Sequence, residues 1–384
     1  MIEQLKQGFI KTHNYEPTDY LDCGGRFEVL GNHTDHNHGM CIAGTCSLKI
    51  NAAVAKRNDL LVNFVSKGFA PFVIDLSDLE CKKEEKETSQ GLIRGIARYL
   101  SDNGYLYGGL DVYMESTVPS GAGVSSSAAF ELLIGQIFNV LFNQGKIEKI
   151  VLCKAGHYAE RNFFGKKCGL LDQIGVAYGG YTFIDFKDEA NPIIKSLKID
   201  MTGYHFVVTN SGGSHADLSD MYSSIPSDML NAAKKINHNF LREGTIEEIK
   251  LNKNELSEME YNRALHFYGE NIRVEKAMKA IEEGNILELI NNMNDSRESS
   301  TNLLKNMYVE EIEGSPLEAC QLVMEASDNK AAVKINGGGF AGSVVSLIPD
   351  QVLDKVVNAA TNRYGANNVH IINIRNVGPD FIRE

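Results

Sequence analysis

The chain is expected to fold as an α+β protein of two domains. Strand-like and helix-like segments are mixed without the regular strand–helix alternation that builds a doubly wound parallel sheet. At 384 residues there is enough chain for two full cores. Strand patterns crowd the first half, whereas a long helical run occupies the second. No repeat, low-complexity tract or Pro/Gly linker marks a boundary, so element content places it near residue 195. The expected domains are residues 1–195 and 196–384.

The elements follow from periodicity. Residues 1–18 read as a short helix anchored by Phe9, followed by a loop. Phe27 and Val29 alternate as in a strand that runs into a polar turn at 31–39. Residues 41–54 return as a second strand, and 60–65 and 72–76 add two more. The charge alternation over 82–87 is that of a solvated turn. An amphipathic helix over 91–100 and a strand over 110–114 lead to the central stretch, residues 119–131. A helix is expected over 147–164, a loop over 165–173, and strands over 181–186 and 204–209. From 230 to 306 helices dominate, with breaks expected near Gly244, Gly269 and Gly284. Strands over 332–335 and 344–348 flank a glycine turn. A helix over 352–364 and a strand over 369–374 close the chain.

The composition, 43% hydrophobic and 23% charged, is that of an ordinary globular protein. A net charge of −12 argues against nucleic acid or an anionic membrane as the main partner. It leaves room for a nucleotide held by backbone N–H groups and a divalent metal. Seven scattered cysteines, with no Cys-x-x-Cys, no signal-peptide pattern and no apolar run of membrane-spanning length, fit a reduced cytoplasmic protein. No obligate protein partner is evident.

Four stretches carry candidate chemistry. In Pro119-Ser-Gly-Ala-Gly-Val-Ser-Ser-Ser-Ala-Ala-Phe-Glu131, two close glycines precede three serines and an apolar helical pattern that stops near Gly145. A glycine loop feeding a long helix offers unpaired N–H groups and the positive dipole end to a phosphate. Neither the Walker nor the Rossmann spacing is met, so a serine-capped helix fits as well. Residues 26–39 combine Arg26, Asn32, His33, Asp35 and His36. They suit a sugar-binding loop, a polar turn, or a zinc site through His33, His36 and His38. Glu160 and Asp172 flank the loop at 165–173, and near a phosphate a carboxylate can hold Mg²⁺. Residues 336–342 form a glycine turn that is structural unless it folds back onto the phosphate loop.

Taken in chain order, the four stretches and a fifth, Asn210 to Tyr222, resemble the galactokinase family of the GHMP kinases. Gly25-Arg-Phe-Glu-Val-Leu-Gly-Asn-His-Thr-Asp-His-Asn-His-Gly39 resembles the galactokinase signature, and Val118 to Glu131 the GHMP phosphate loop. Tyr158-Ala-Glu-Arg with Cys168-Gly-Leu-Leu-Asp-Gln173 resembles the magnesium and base segments. Asn210-Ser-Gly-Gly-Ser-His215 with Tyr222, and Ile335-Asn-Gly-Gly-Gly-Phe-Ala-Gly342, complete the set. The resemblance implies an N-terminal ribosomal-protein-S5-like domain and a C-terminal ferredoxin-like α+β domain, with ATP and a sugar in the cleft between them. It implies ATP-dependent phosphorylation of galactose, or a related sugar, at the anomeric hydroxyl. Asp172 would be the base and Arg26 the cation beside the transferring group. Ser127 and Glu160 would hold Mg²⁺. Gly121, Ala122, Gly123, Val124, Ser125, Ser126 and Ser127 would wrap the phosphates, and Asn32, His33, Asp35, Gly169 and Tyr222 would contact the sugar.

The family pattern Gly-Glu-His-Thr-Asp-Tyr here reads Gly31-Asn-His-Thr-Asp-His36. The family glutamate accepts a hydrogen bond from the sugar C6 hydroxyl, whereas Asn32 is shorter and neutral. Galactose stands first as the expected substrate, with galacturonate, an N-acetylhexosamine or arabinose as alternatives. Residues 220–226 lack the usual basic residues, and 296–306 match loosely. A non-catalytic sugar and ATP sensor is the second class of function. The presence of Ala128-Ala129, Asp172, Arg26 and Glu160 speaks against it.

Overall fold

A computed structural model describes all residues except 119–122, 167, 213–217, 310–313 and 383–384, and the side chain of Ser219. Twelve strands are present among the described residues: β1 (Asp19–Leu30), β2 (Met40–Lys56), β3 (Leu61–Ser66), β4 (Phe72–Asp75), β5 (Leu110–Ser116), β6 (Tyr181–Asp185), β7 (Ile193–Leu197), β8 (Tyr204–Asn210), β9 (Ala332–Ile335), β10 (Ser343–Pro349), β11 (Val369–Ile372) and β12 (Asp380–Phe381). An eight-stranded sheet runs β12-β1-β2-β5-β3-β4, with β6 and β7 branching from the first half of β2. Its pairs are antiparallel except β3 with β5. A second, four-stranded antiparallel sheet runs β11-β8-β10-β9. Helices and sheets are segregated as an α+β chain requires.

Helices Ser89–Asp102, Ser126–Asn143, Lys149–Ala159 and Leu171–Ala177 cover one face of the first sheet. Leu92, Ile96, Leu133, Ile137, Leu152 and Ile174 are buried there against strand residues such as Leu21, Cys41, Ala52 and Val112. The opposite face, through Phe27, Val29, Leu30 and Ile42, packs on Phe206, Val208, Val345 and Leu347 of the second sheet and on Val274 and Met293. The junction between the halves is thus apolar, and removing that area from water at ~25 cal/mol per Å² holds them in one arrangement.

Several expectations need correction. Gly269 does not break a helix: Glu258–Glu282 is continuous, because one glycine costs a helix interior only ~1 kcal/mol and buried Phe267 and Val274 outweigh it. The helical run begins at Ser219, not 230. The helix expected over 147–164 ends at Ala159 and passes into a π-helical turn, Glu160–Phe164. The loop expected over 165–173 holds the start of helix Leu171–Ala177, which carries Asp172 in its first turn. β7, a half-exposed strand past the apolar runs, has no counterpart among the expected elements. The first sheet therefore extends to Leu197 and takes back β12 from the far end of the chain.

Candidate active site

Arg26 lies on β1, where the register with β2 shifts between Gly24 and Arg26 and again between Glu28 and Leu30. Such bulges re-aim side chains. Here the Arg26 guanidinium reaches across, its Nε donating to Asp172 Oδ1 at 2.8 Å. Ser125 Oγ donates to the other oxygen, Asp172 Oδ2, at 2.6 Å. Burial pushes the Asp172 carboxyl up, but Arg26, Lys166 and the Ser125 hydroxyl outweigh it and hold it down at about 2. Arg26 is in turn kept charged: burial lowers it, and Asp172 more than compensates.

Gly121 and Ala122 of the expected phosphate loop lie outside the described residues. Its second half is ordered by neighbours. The Val124 carbonyl accepts from Arg26 N–H at 2.9 Å, and Gly123 O accepts from Arg26 Nη1 at 3.2 Å and from Asn336 Nδ2 at 2.8 Å. The turn at residues 336–342 therefore does fold back onto this loop. Gly123 at φ +70° and Ser125 at φ +52° are left-handed. That geometry ends the loop in helix Ser126–Asn143, whose N terminus has no side-chain cap. Ser126 is exposed at its first turn, and an uncapped helix start of this kind offers unpaired N–H groups to an anion.

Beside that helix end, Glu160 sits at the junction of helix and π-helical turn, a distortion frequent at functional sites. Its Oε1 accepts from Ser127 Oγ at 3.3 Å and from Lys166 Nζ at 2.8 Å. Its Oε2 accepts from Gln173 Nε2 at 3.0 Å and Cys168 Sγ at 3.1 Å. Gln173 Nε2 also bonds Glu131 Oε2 at 2.9 Å, and the second Glu131 oxygen is buried without a partner among the described residues. Burial and then the Glu160 charge drive the Glu131 carboxyl well above its usual range. No group of three or more His, Cys, Asp or Glu side chains suited to a metal occurs among the described residues. A hydroxyl and a carboxylate converging beside a phosphate site nevertheless fit Mg²⁺, which takes few protein ligands and keeps waters and phosphate oxygens.

The turn at 31–39 brings Asp35, His33 and His36 together. The Asp35 carboxylate presses on Gly169, where a Cβ would stand 1.9 Å from Oδ2. Burial and then the charge of Asp172 push Asp35 up to about 7, against the bond from His36 N–H. His33 takes a left-handed φ of +56° and bonds the Gly338 carbonyl through Nε2 at 2.8 Å. Burial lowers its imidazole to about 4, so it is neutral at physiological pH. Its ring stands 5.3 Å from Tyr222, which lies against Gly338. His36 bonds His33, but His38 points elsewhere and stacks on Phe240 at 3.7 Å. The three imidazoles therefore do not converge as a zinc site requires.

Asn32, expected at the sugar, is only 1% exposed and engaged within the protein. Its Nδ2 donates to Gly337 O at 2.7 Å and Glu28 Oε1 at 3.1 Å, and its Oδ1 accepts from Asn306 Nδ2 at 3.0 Å. Sequence reasoning missed what holds this turn. Glu270 Oε1 accepts from the N–H groups of Gly31 and Asn32, at 3.0 and 3.2 Å, and His266 Nε2 bonds Asn32 O at 2.9 Å. Lys334 Nζ meets Glu28 Oε1 at 2.7 Å, both side chains buried. Lys166 was missed as well, and Gln173 and Asn336, though inside quoted motifs, were given no role of their own. Single polar residues on buried helix faces and strands carry no periodic signal; only the fold brings them together.

An uncapped helix beside a glycine loop, facing an Arg–Asp pair, defines a small-molecule kinase site. The profile of the GHMP kinases N terminal domain matches residues 91–180, which include that loop, Glu160 and Asp172. The galactokinase galactose-binding signature matches residues 7–56, which include Arg26 and Asp35. A galactokinase of Clostridium tetani (strain Massachusetts / E88) is 30% identical over 371 residues, spanning 94% of this chain and 92% of that one. The galactose complex of Lactococcus lactis galactokinase superposes with a TM-score of 0.87 at 21% identity, covering 99% of this chain and 100% of that one. Methanococcus jannaschii mevalonate kinase gives a TM-score of 0.66 at 13% identity, covering 94% and 99%. The fold is that of the GHMP kinases. The chain belongs to the galactokinase family.

Proposed function

We propose that the protein phosphorylates galactose at its anomeric hydroxyl, consuming ATP and releasing ADP and the sugar 1-phosphate. The observation that carries this is the Asp172 carboxylate, clamped between Arg26 and Ser125 and bordered by Asp35 and Gly169. Relatives of the chain include galactokinases, one of them solved with galactose.

Asp35, His33, Gly169 and Tyr222 form the sugar-facing wall, and Asp35 as the carboxylate accepts from sugar hydroxyls. The phosphate-binding segment runs from Gly121 through Ala122, Gly123, Val124, Ser125 and Ser126 to Ser127. The sugar oxygen attacks the terminal phosphorus as the bond to the ADP oxygen breaks, and the hydroxyl proton passes to Asp172. A carboxyl held near 2 is a weak base. In a loose phosphoryl-transfer transition state the proton leaves late, so position matters more than basicity. Arg26 offsets charge gathering on the transferred group while keeping Asp172 ionised. Ser127 and Glu160 would hold Mg²⁺, which when bound neutralises phosphate charge.

Asn32 serves as a brace of the sugar turn, its amide tied to Glu28, Gly337 and Asn306. This supports galactose over galacturonate, because the neutral amide is not free to receive a sugar carboxylate and Asp35 would oppose one. The two domains, expected at 1–195 and 196–384, divide after β7, which ends at Leu197, with β12 returning to the first. All seven cysteines stand free of disulfides, which accords with a cytoplasmic enzyme, and no helix among the described residues is long and apolar enough to cross a membrane.

The test is ATP consumption with galactose, galacturonate, N-acetylgalactosamine and arabinose, with the phosphorylated carbon assigned by NMR. Galactose 1-phosphate as the dominant product is expected. Binding of sugar and ATP without turnover on any of the four would make the protein a sensor instead.

A further inference from the structure

Glu160 has no lone pair left. Its buried carboxylate accepts from Ser127 and Lys166 at Oε1 and from Gln173 and Cys168 at Oε2, which fills the four acceptor positions of a carboxylate. These donors differ in how readily they can leave. Gln173 is fully buried and shared with Glu131, and Cys168 shares the inner oxygen. Lys166 lies on the outer oxygen, with its side chain 43% exposed and Glu160 at 2%. Its backbone is fixed all the same: the N–H groups of Gly165 and Lys166 both donate to the Glu160 carbonyl, at 2.9 and 3.0 Å. Gly165 makes this return possible with a φ of +95°. The chain thus closes on itself so that a lysine is tethered to the carboxylate six residues before it.

We propose that Lys166 is a built-in competitor of the divalent cation at Glu160. Its ammonium compensates the buried carboxylate, which would otherwise carry an unpaired charge. A metal at Glu160 Oε1 takes the place of the Ser127 hydroxyl or of Lys166, and in either case it meets the ammonium charge held on the same oxygen. A bare divalent ion therefore gains little at this site. A metal that arrives on a nucleotide brings phosphate charge to receive the released ammonium, so metal and nucleotide enter as one unit. This rests on Glu160 as the metal-holding carboxylate.

The test uses Mn²⁺ as the probe, with free ion counted by electron paramagnetic resonance on the full-length protein, with and without a non-hydrolysable ATP analogue. Without nucleotide, Lys166→Met is expected to bind Mn²⁺ about tenfold or more tightly than wild type, since one cation 2.8 Å from the carboxylate is gone. Lys166→Arg, which keeps the charge, should resemble wild type. Adding Glu160→Gln to Lys166→Met should abolish the gain. Nucleotide-free Mn²⁺ affinity in Lys166→Met equal to wild type would overturn the proposal, as would a gain that survives Glu160→Gln. Wild-type Mn²⁺–nucleotide binding separates the two levels. If Glu160→Gln weakens it while Lys166→Met leaves the nucleotide-free Mn²⁺ affinity unchanged, only the competition fails. If Glu160→Gln leaves it intact, the assignment of Glu160 fails as well.

Discussion

Lys334 to methionine is the substitution whose cost the structure sets most sharply. Lys334 on β9 is fully buried, and its Nζ donates to Glu28 Oε1 at 2.7 Å and to the Ile335 carbonyl at 2.8 Å. Glu28 on β1 is 2% exposed, so the pair ties the two sheets together without water. Methionine fills nearly the same volume, so little of the cost comes from a cavity. What remains is a buried carboxylate whose other bonds are those from the Asn32 amide. Breaking such a pair from one side costs ~3–5 kcal/mol, a large part of the ~5–15 kcal/mol that holds a native protein together. Glu28→Gln with Lys334→Met removes both charges and keeps an acceptor for Asn32. It should cost at least ~2 kcal/mol less than the two single changes summed, a coupling of the size contacting residues show. Urea unfolding midpoints of the four proteins measure this, compared at equal slope. A Lys334→Met variant within ~1 kcal/mol of wild type, or strictly additive changes, would refute a desolvated pair at this place.

Asp172→Asn should still bind sugar and ATP while kcat falls ~10²–10⁴-fold, the worth of a positioned proton acceptor; near-full kcat would move the base elsewhere. Gly169→Ala should raise the KM for galactose ~10–100-fold with a smaller effect on kcat, because the new Cβ would stand 1.9 Å from Asp35 Oδ2 and drive that carboxylate off its position. An unchanged KM would place the sugar away from Asp35. Because Asp35 is raised to about 7, its carboxylate form is lost as pH falls through that value, so calorimetric galactose affinity should weaken from pH 8 to pH 6. The same shift makes the folded protein hold a proton the unfolded chain releases near 4, so this contribution to stability declines as pH rises from about 4 to about 7. Asp35→Asn should flatten both profiles.

Local patterns carried much of this protein into view. The apolar helical repeat that follows the glycines, Phe27 and Val29 in alternation, and the strands around residues 336–342 all depend on neighbours in sequence, and each forms close to its expected place. Failures came where distant packing overrides local preference. Gly269 stays helical because its neighbours are buried, and β7 is a strand because β6 offers an edge to pair with. Asn32 shows the same limit in the site. Its chemistry suggested a sugar contact, yet Glu28, Gly337 and Asn306 enclose it, and the latter two lie some three hundred residues away in sequence.

By itself, then, the sequence determined the family, the α+β class and the residue types available for phosphoryl transfer, because these reside in short contiguous motifs whose backbone geometry is local. Tertiary structure decided their electrical state. Asp172 is ionised because β1 brings Arg26 to it across 146 positions of chain. Asp35 is raised because the same fold sets it near Asp172 in a place with little water. Glu160 is saturated because a π-helical turn and a left-handed glycine return Lys166 onto it. Charge and desolvation depend on distance in space, which spacing along a chain does not give.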